Sequence, residues 1–208
     1  MKNTLGEEIM FCKVMAGGIH GITSFLAQVE VDSTQAMPGF DMVGLLGSEV
    51  REAKERVRVA LKNSGFQIPP RRITVNISPA DIRKEGSAYD LPIAMALLAS
   101  MKIIPANKIQ NMIMLGELGL DGSIRSVSGI LPAAIEAKKE GLGFICPESQ
   151  EAEALWAETP LVIAAPDLLS LLNHLKGEMR LPAPKAIEFQ ENTPLPDLID
   201  IKGQESAK

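Results

Sequence analysis

A chain of 208 residues can hold one or two domains with a real core, and 46% hydrophobic with 23% charged residues is the composition of a globular protein in water. The formal net charge of -5 argues against non-specific nucleic-acid binding by the whole surface, though not against one basic face. Aromatic residues make up only 4%, few for a protein that stacks single-stranded bases on aromatic platforms.

The first two elements are strands at residues 11–16 and 25–32, separated by a glycine-bearing turn. The second alternates Phe25, Ala27, Val29 and Val31 with Leu26, Gln28, Glu30 and Asp32, as a half-buried strand does. Pro38-Gly39 is a turn, and a short third strand follows it. Ser48 reads as the N-cap of a helix whose buried face is Val50, Ala53, Val57, Ala60 and Leu61, stopped by Gly65. Residues 48–72 hold seven basic side chains (Arg51, Lys54, Arg56, Arg58, Lys62, Arg71, Arg72) against three acidic ones (Glu49, Glu52, Glu55). Two readings stand side by side: an exposed face with i,i+4 ion pairs, or a contact face for phosphates or an acidic subunit, carried by Arg51, Lys54 and Arg58.

Ile73, Val75 and Ile77 alternate with Thr74, Asn76 and Ser78 in the next strand, and Pro79, with no N–H to donate, ends its pairing. The loop at residues 81–86 carries Asp81, Arg83, Lys84 and Glu85, too many charges for a core. Asp90 is placed to cap the apolar helix that follows. A loop between a strand and a helix start is a common place for chemistry. Either Asp90 caps and Lys84 balances local acids, or Arg71, Arg72, Lys84 and Asp90 converge in a binding pocket. Glu117 is first a hairpin residue and second a pocket carboxylate.

Residues 113–118 and 124–127 read as a hairpin around Asp121-Gly122. A helix over 131–140, a strand over 143–146, a short helix over 148–156, a strand over 161–164 and an Asp167-capped helix to Lys176 complete the order. Strands and helices alternate, so the class is α/β with a mixed sheet. From Gly177 onward four prolines and no periodicity indicate a linker or arm. Cys12 and Cys146 lie in apolar runs and read as buried reduced thiols rather than a disulfide framework. His20 and His174 stand alone, so no metal site is expected, and no apolar run is long enough to span a membrane, so the cytoplasm is the expected compartment.

The run from Arg56 to Phe66, continued through PPRRITVNISPADIRKEGSAYDLPIA, LGELGLDGSIRSVSGILPAA and GFICPESQEAEA, resembles the N-terminal domain of the ComM/YifB group of Mg-chelatase-like AAA+ ATPases. The likeness covers residues 10–176, and the closing DIKGQESAK resembles the entry to the AAA+ module. The resemblance implies a hexameric parent ATPase, in ComM proteins a DNA branch-migration helicase of natural transformation, with ATP and Mg2+ held in that AAA+ module. No G-x-x-x-x-G-K-[ST] loop occurs in these residues, so no cofactor is expected in this chain.

The same domain resembles the proteolytic domain of Lon-type proteases, which use a Ser–Lys dyad. Matching the loop and helix patterns puts Asp90 where the serine belongs and Leu131 where the lysine belongs. An acid and an aliphatic side chain cannot perform acyl transfer. A displaced pair, Ser87 with Lys84, is the remaining route to a peptidase. The resemblance implies a two-layer α/β sandwich with a mixed sheet, of Lon-protease and ribosomal-protein βαβ type, over residues 1–176, with 177–208 as linker and start of the next module. The expected role is non-catalytic: ring assembly or DNA engagement, against the alternatives of a Lon-like peptidase or a pure oligomerisation module. The expected partners are the rest of the parent ATPase, further copies of it, and DNA, with no membrane.

Overall fold

The computed structural model describes residues 10–21 and 23–186, so the two ends of the sequence and the expected entry segment of a following module lie outside the described residues. β1 (Met10–His20) and β2 (Thr23–Thr34) form one long antiparallel hairpin. The glycines expected to turn the chain instead stay in the ladder, Gly17 opposite Leu26 and Gly18 opposite Phe25. Close packing explains them: a Cβ on Gly18 would lie 2.2 Å from the Phe25 ring and 2.6 Å from the Tyr89 hydroxyl.

β3 (Gly39–Val43) runs parallel to β4 (Arg72–Ser78), which pairs antiparallel with β2. Between them α1 (Ser48–Asn63) buries Val50, Ala53, Val57, Ala60 and Leu61, the face read from the sequence. Its N-cap is Gly47, without a side-chain bond, and Ser48 is already helical. α2 (Asp90–Ser100) is buried at all eleven positions, as a helix apolar on every side must be. Its N-cap is Tyr89, so Asp90 lies inside the helix and its carboxylate is not a cap.

The expected hairpin strand at 113–118 is two strands. β5 (Met112–Met114) joins the main sheet, while β6 (Glu117–Leu118) turns away to pair with β7 (Ile124–Arg125). α3 (Ile130–Lys139), β8 (Gly143–Pro147), α4 (Glu151–Leu155) and β9 (Val162–Ala165) follow. α5 (Leu168–Lys176) starts at Asp167, whose side chain accepts from Ser170 N at 2.8 Å, and stops at Gly177 with φ +80°. That cap matches its sequence signal.

The main sheet has seven strands in the order β3-β4-β2-β1-β5-β8-β9 and is mixed. One core lies between it and α1, α2 and α5. A second, smaller core joins Ile113, Phe144, Cys146 and Ala164 to α3 and α4 on the opposite face. The layering is therefore two-deep only at the β3-β4 end and the adjoining half of β2, since α3 reaches the start of β2 at Leu26. There the outer face is polar, with Asn76 Nδ2 donating to Glu30 Oε2 at 2.8 Å. At the other end helices cover both faces, which is why β5, β8 and β9 are buried throughout. Both cysteines are buried, and desolvation pushes the Cys146 thiol up to about 12. Among the described residues no helix is long and apolar enough to cross a membrane.

β1, β4, β5, β8 and β9 all point the same way, because β1 and β4 each run antiparallel to β2. Their carboxyl ends share one pole of the sheet, where α/β proteins bind ligands. Among the described residues one buried side-chain polar atom lacks a partner, the hydroxyl of Ser33, 2% exposed. Ser33→Ala is expected to raise the unfolding free energy by about 1 kcal/mol, read as a higher urea midpoint at unchanged slope.

Candidate functional site

A polar cleft of about 710 Å³ opens at the carboxyl-end pole. Gly17 and Gly18 of β1 form one wall, Ser87 and Tyr89 another, and Leu115 with Ser126–Ser128 the third. β1 pairs with β5 only as far as Ala16 opposite Met114, so the cleft begins where β5 turns off. Tyr89 is 2% exposed, and burial raises the pKa of its phenol above the ordinary value.

Ser87 Oγ donates a short hydrogen bond to Glu117 Oε2, across from β6. Lys84 does not take part. It is fully buried, and its ammonium donates to the carbonyls of Ile82, at 2.8 Å, and Pro79. Desolvation lowers its pKa, with Asp81 pulling the other way. Its backbone also ties the loop to the start of α1, through Lys84 N to Leu45 O at 2.9 Å and Gly47 N to Lys84 O at 2.8 Å. The displaced Ser87–Lys84 dyad considered from the sequence is therefore not formed. At Leu131 the polar contact is made by the backbone, whose N–H donates to Glu153 Oε1 at 3.1 Å.

Asp90 is also spent on structure. Arg56 forks onto it, Nε to Oδ2 at 2.7 Å and Nη2 to Oδ1 at 2.9 Å, while Leu118 N donates to Oδ2 at 3.2 Å. Nη2 of Arg56 also reaches the carbonyl of Glu49 at 2.9 Å. One buried carboxylate thus joins α1, α2 and β6. Burial pushes the Asp90 carboxyl up, and the guanidinium and the Leu118 amide pull it back down. The hydrogen bonds it donates to Asp90 in turn hold the Arg56 guanidinium above its usual value.

The residues expected to converge fall into three places. Lys84 and Asp90 are buried struts, and Glu117 reaches Ser87. Arg71 and Arg72 sit at the start of β4, the opposite pole of the sheet. Arg72 is paired with Asp41 at 2.7 Å, while Arg71 lines a separate groove with Arg58 and Lys62. The single four-residue pocket of the sequence reading is not present, because a seven-residue strand separates its two arginines from its lysine and acid. Arg51, Lys54 and Arg58 are all exposed on α1, and none is in ion-pair contact among the described residues. The one i,i+4 pair on that helix is Arg56 with Glu52 at 3.7 Å. Among the described residues no three His, Cys, Asp or Glu side chains gather as metal ligands would. The sequence pattern missed Arg56 as the partner of Asp90. Its only signal was an arginine at the edge of the buried stripe, three residues after Ala53 and four before Ala60.

Arg56→Met leaves the enclosed Asp90 carboxyl with the Leu118 amide as its remaining partner among the described residues. It is expected to cost about 3 kcal/mol in urea unfolding, the lower part of the range because Arg56 keeps 21% of its side chain exposed. Adding Asp90→Leu should recover part of that loss.

The family described as subunit ChlI of Mg-chelatase matches residues 29–150. Over 188 residues the chain is 39% identical to the uncharacterized protein YifB of Escherichia coli, covering 90% of this chain and 37% of that one. It is 37% identical over 194 residues to the competence protein ComM of Haemophilus influenzae, covering 90% of this chain and 38% of that one. A Lon protease of Mycolicibacterium smegmatis is 24% identical over 134 residues, covering 61% of this chain and 17% of that one. The chain thus spans little more than a third of the length of YifB and ComM. It belongs to the Mg-chelatase ChlI-like family, in the group that holds YifB and ComM.

Proposed function

We propose that this chain is the N-terminal unit of a ComM-type AAA+ ATPase, and that it serves the motor by binding rather than by breaking bonds. Residues 1–176 are the Lon-like body, and 177–208 lead into the AAA+ module. ATP and Mg2+ belong to that module, which assembles as a hexamer in the cytoplasm. The work of the whole protein is branch migration on DNA during transformation, a setting in keeping with the name of the competence protein ComM. This unit engages DNA through the exposed face of α1.

The observation that carries the DNA reading is the unpaired state of Arg51, Lys54 and Arg58 on one exposed helix face. On a chain of net charge -5, free cations on one face favour a polyanion. The binding-only reading is supported at the cleft. Among the described residues, Lys84 is committed to carbonyls and the partner of the Ser87 hydroxyl is the Glu117 carboxylate, so the Ser–Lys pairing that a Lon-type peptidase needs is not made.

The combined charge reversal Arg51→Glu, Lys54→Glu, Arg58→Glu is expected to weaken duplex binding by the whole protein. It should also flatten the log K against log salt plot by up to about 3, at roughly 0.9 per lost phosphate contact. Unchanged binding across the titration overturns the proposed contact face. A serine-directed activity probe is expected to leave the wild-type chain and Ser87→Ala equally unlabelled. Labelling of the wild type alone would make the cleft a peptidase site.

A further inference from the structure

Another opening lies at the pole opposite the Ser87 cleft. It is a groove of about 750 Å³ between the last turns of α1, the start of β3 and the connection at 65–71 that enters β4. Two kinds of side chain meet there. Phe40 and Phe66 are half-buried, packed against the core while also lining the groove. Arg58, Lys62 and Arg71 line the same groove, and none is in ion-pair contact with an acid among the described residues.

Those three cations stand out from their neighbours. Arg56 is held by Asp90 and Arg72 by Asp41, so the arginines on either side are already neutralised. Arg51 and Lys54 continue the exposed face of α1 toward its N-terminus, with Glu55 the one carboxylate among them. Lys62 and Arg58 are one helical turn apart, so their side chains rise together beside the groove. The whole protein has only six Phe, and two of them line this one groove. Low overall aromatic content therefore does not exclude a local stacking platform.

We infer that this groove binds a single-stranded polynucleotide. Unpaired bases lie against Phe40 and Phe66, and phosphates meet Arg58, Lys62 and Arg71 before the strand continues over Arg51 and Lys54. Free cations select a polyanion, and rings beside them select one with exposed flat faces. A duplex keeps its bases stacked inside and reaches only the cations. An acidic peptide would use the cations and leave the rings idle. The inference rests on the proposed engagement of DNA and goes beyond it by naming the strand state and the two rings that read it.

The test is fluorescence anisotropy on the 208-residue chain with a labelled oligothymidylate, an oligouridylate and a blunt DNA duplex of equal length, at one fixed salt concentration. Because both rings also pack on the core, they are changed to leucine, and thermal unfolding checks that the fold is kept. Phe40→Leu and Phe66→Leu are each expected to weaken oligothymidylate binding roughly tenfold while leaving the duplex within about twofold. Oligouridylate should follow oligothymidylate, since stacking is indifferent to the sugar. Arg58→Glu with Lys62→Glu and Arg71→Glu should weaken all three probes. Unchanged oligothymidylate binding in folded leucine variants overturns the inference, as does an equal loss for the duplex. So does displacement of the oligothymidylate by polyglutamate at equal charge. Duplex binding that survives in those cases, and falls on charge reversal of Arg51, Lys54 and Arg58, keeps the DNA reading while removing the base-stacking groove. Failure of the wild-type chain to bind any of the three probes overturns the groove, and the salt titration of the whole protein decides the wider reading separately.

Discussion

The arrangement of this domain depends on one buried ion pair. Asp90 is fully enclosed, and only the two-pronged grip of Arg56, with the Leu118 amide, makes a carboxylate tolerable there. Its two partners come from two other segments, α1 and β6. The pair sets the position of α1 over α2 and fixes where β6 leaves the line of β5. The branching of β6 away from the sheet in turn opens the cleft beside β1. A residue that the sequence offered as a helix cap, and that the Lon comparison set at a nucleophile position, is thus a structural strut. Whatever the ancestry of the site, the position now bears on shape, and the hydroxyl that lines the cleft belongs to Ser87 instead.

Local signals were readable where they were self-contained. The buried stripe of α1 follows from 3.6-residue spacing and was recovered residue for residue. The Asp167 cap and the run of its helix to Lys176 followed from backbone chemistry that needs no distant partner. The inner face of β2 followed from simple alternation. Failures came where the deciding partner is far along the chain. Gly17 and Gly18 look like a turn because nothing local reveals that Ala133 and Tyr89 press against them. The run at 113–118 looks like one strand because the pairing of its second half with residues 124–125 competes with the main sheet. The coverage of both faces was missed for the same reason: α3 and α4 follow β7 and β8 in sequence, but which side of the sheet they take is set by crossovers.

The candidate site shows the same division. Charge counting found the basic helix, and the structure leaves its outer cations unpaired. Counting could not tell that Arg71 and Arg72 diverge, one to a groove and one to Asp41. Nor could it tell that Lys84, in a loop that looked solvated, is fully enclosed and hydrogen-bonded to carbonyls of its own loop. Polar loops are usually on the surface. Here the short loop folds over its own lysine, whose ammonium is held by the Pro79 and Ile82 carbonyls and whose backbone is tied to Leu45 and Gly47.

The groove and the cleft sit at opposite ends of the parallel strands, joined by β4, which runs from Arg72 to Ser78 and spans about 23 Å at the usual rise. Because β4 is hydrogen-bonded along both edges, to β2 and to β3, it behaves as a stiff rod between them. Two visitors at the two poles would therefore be felt by each other, if at all, only through a shift of the whole rod against the fully enclosed α2.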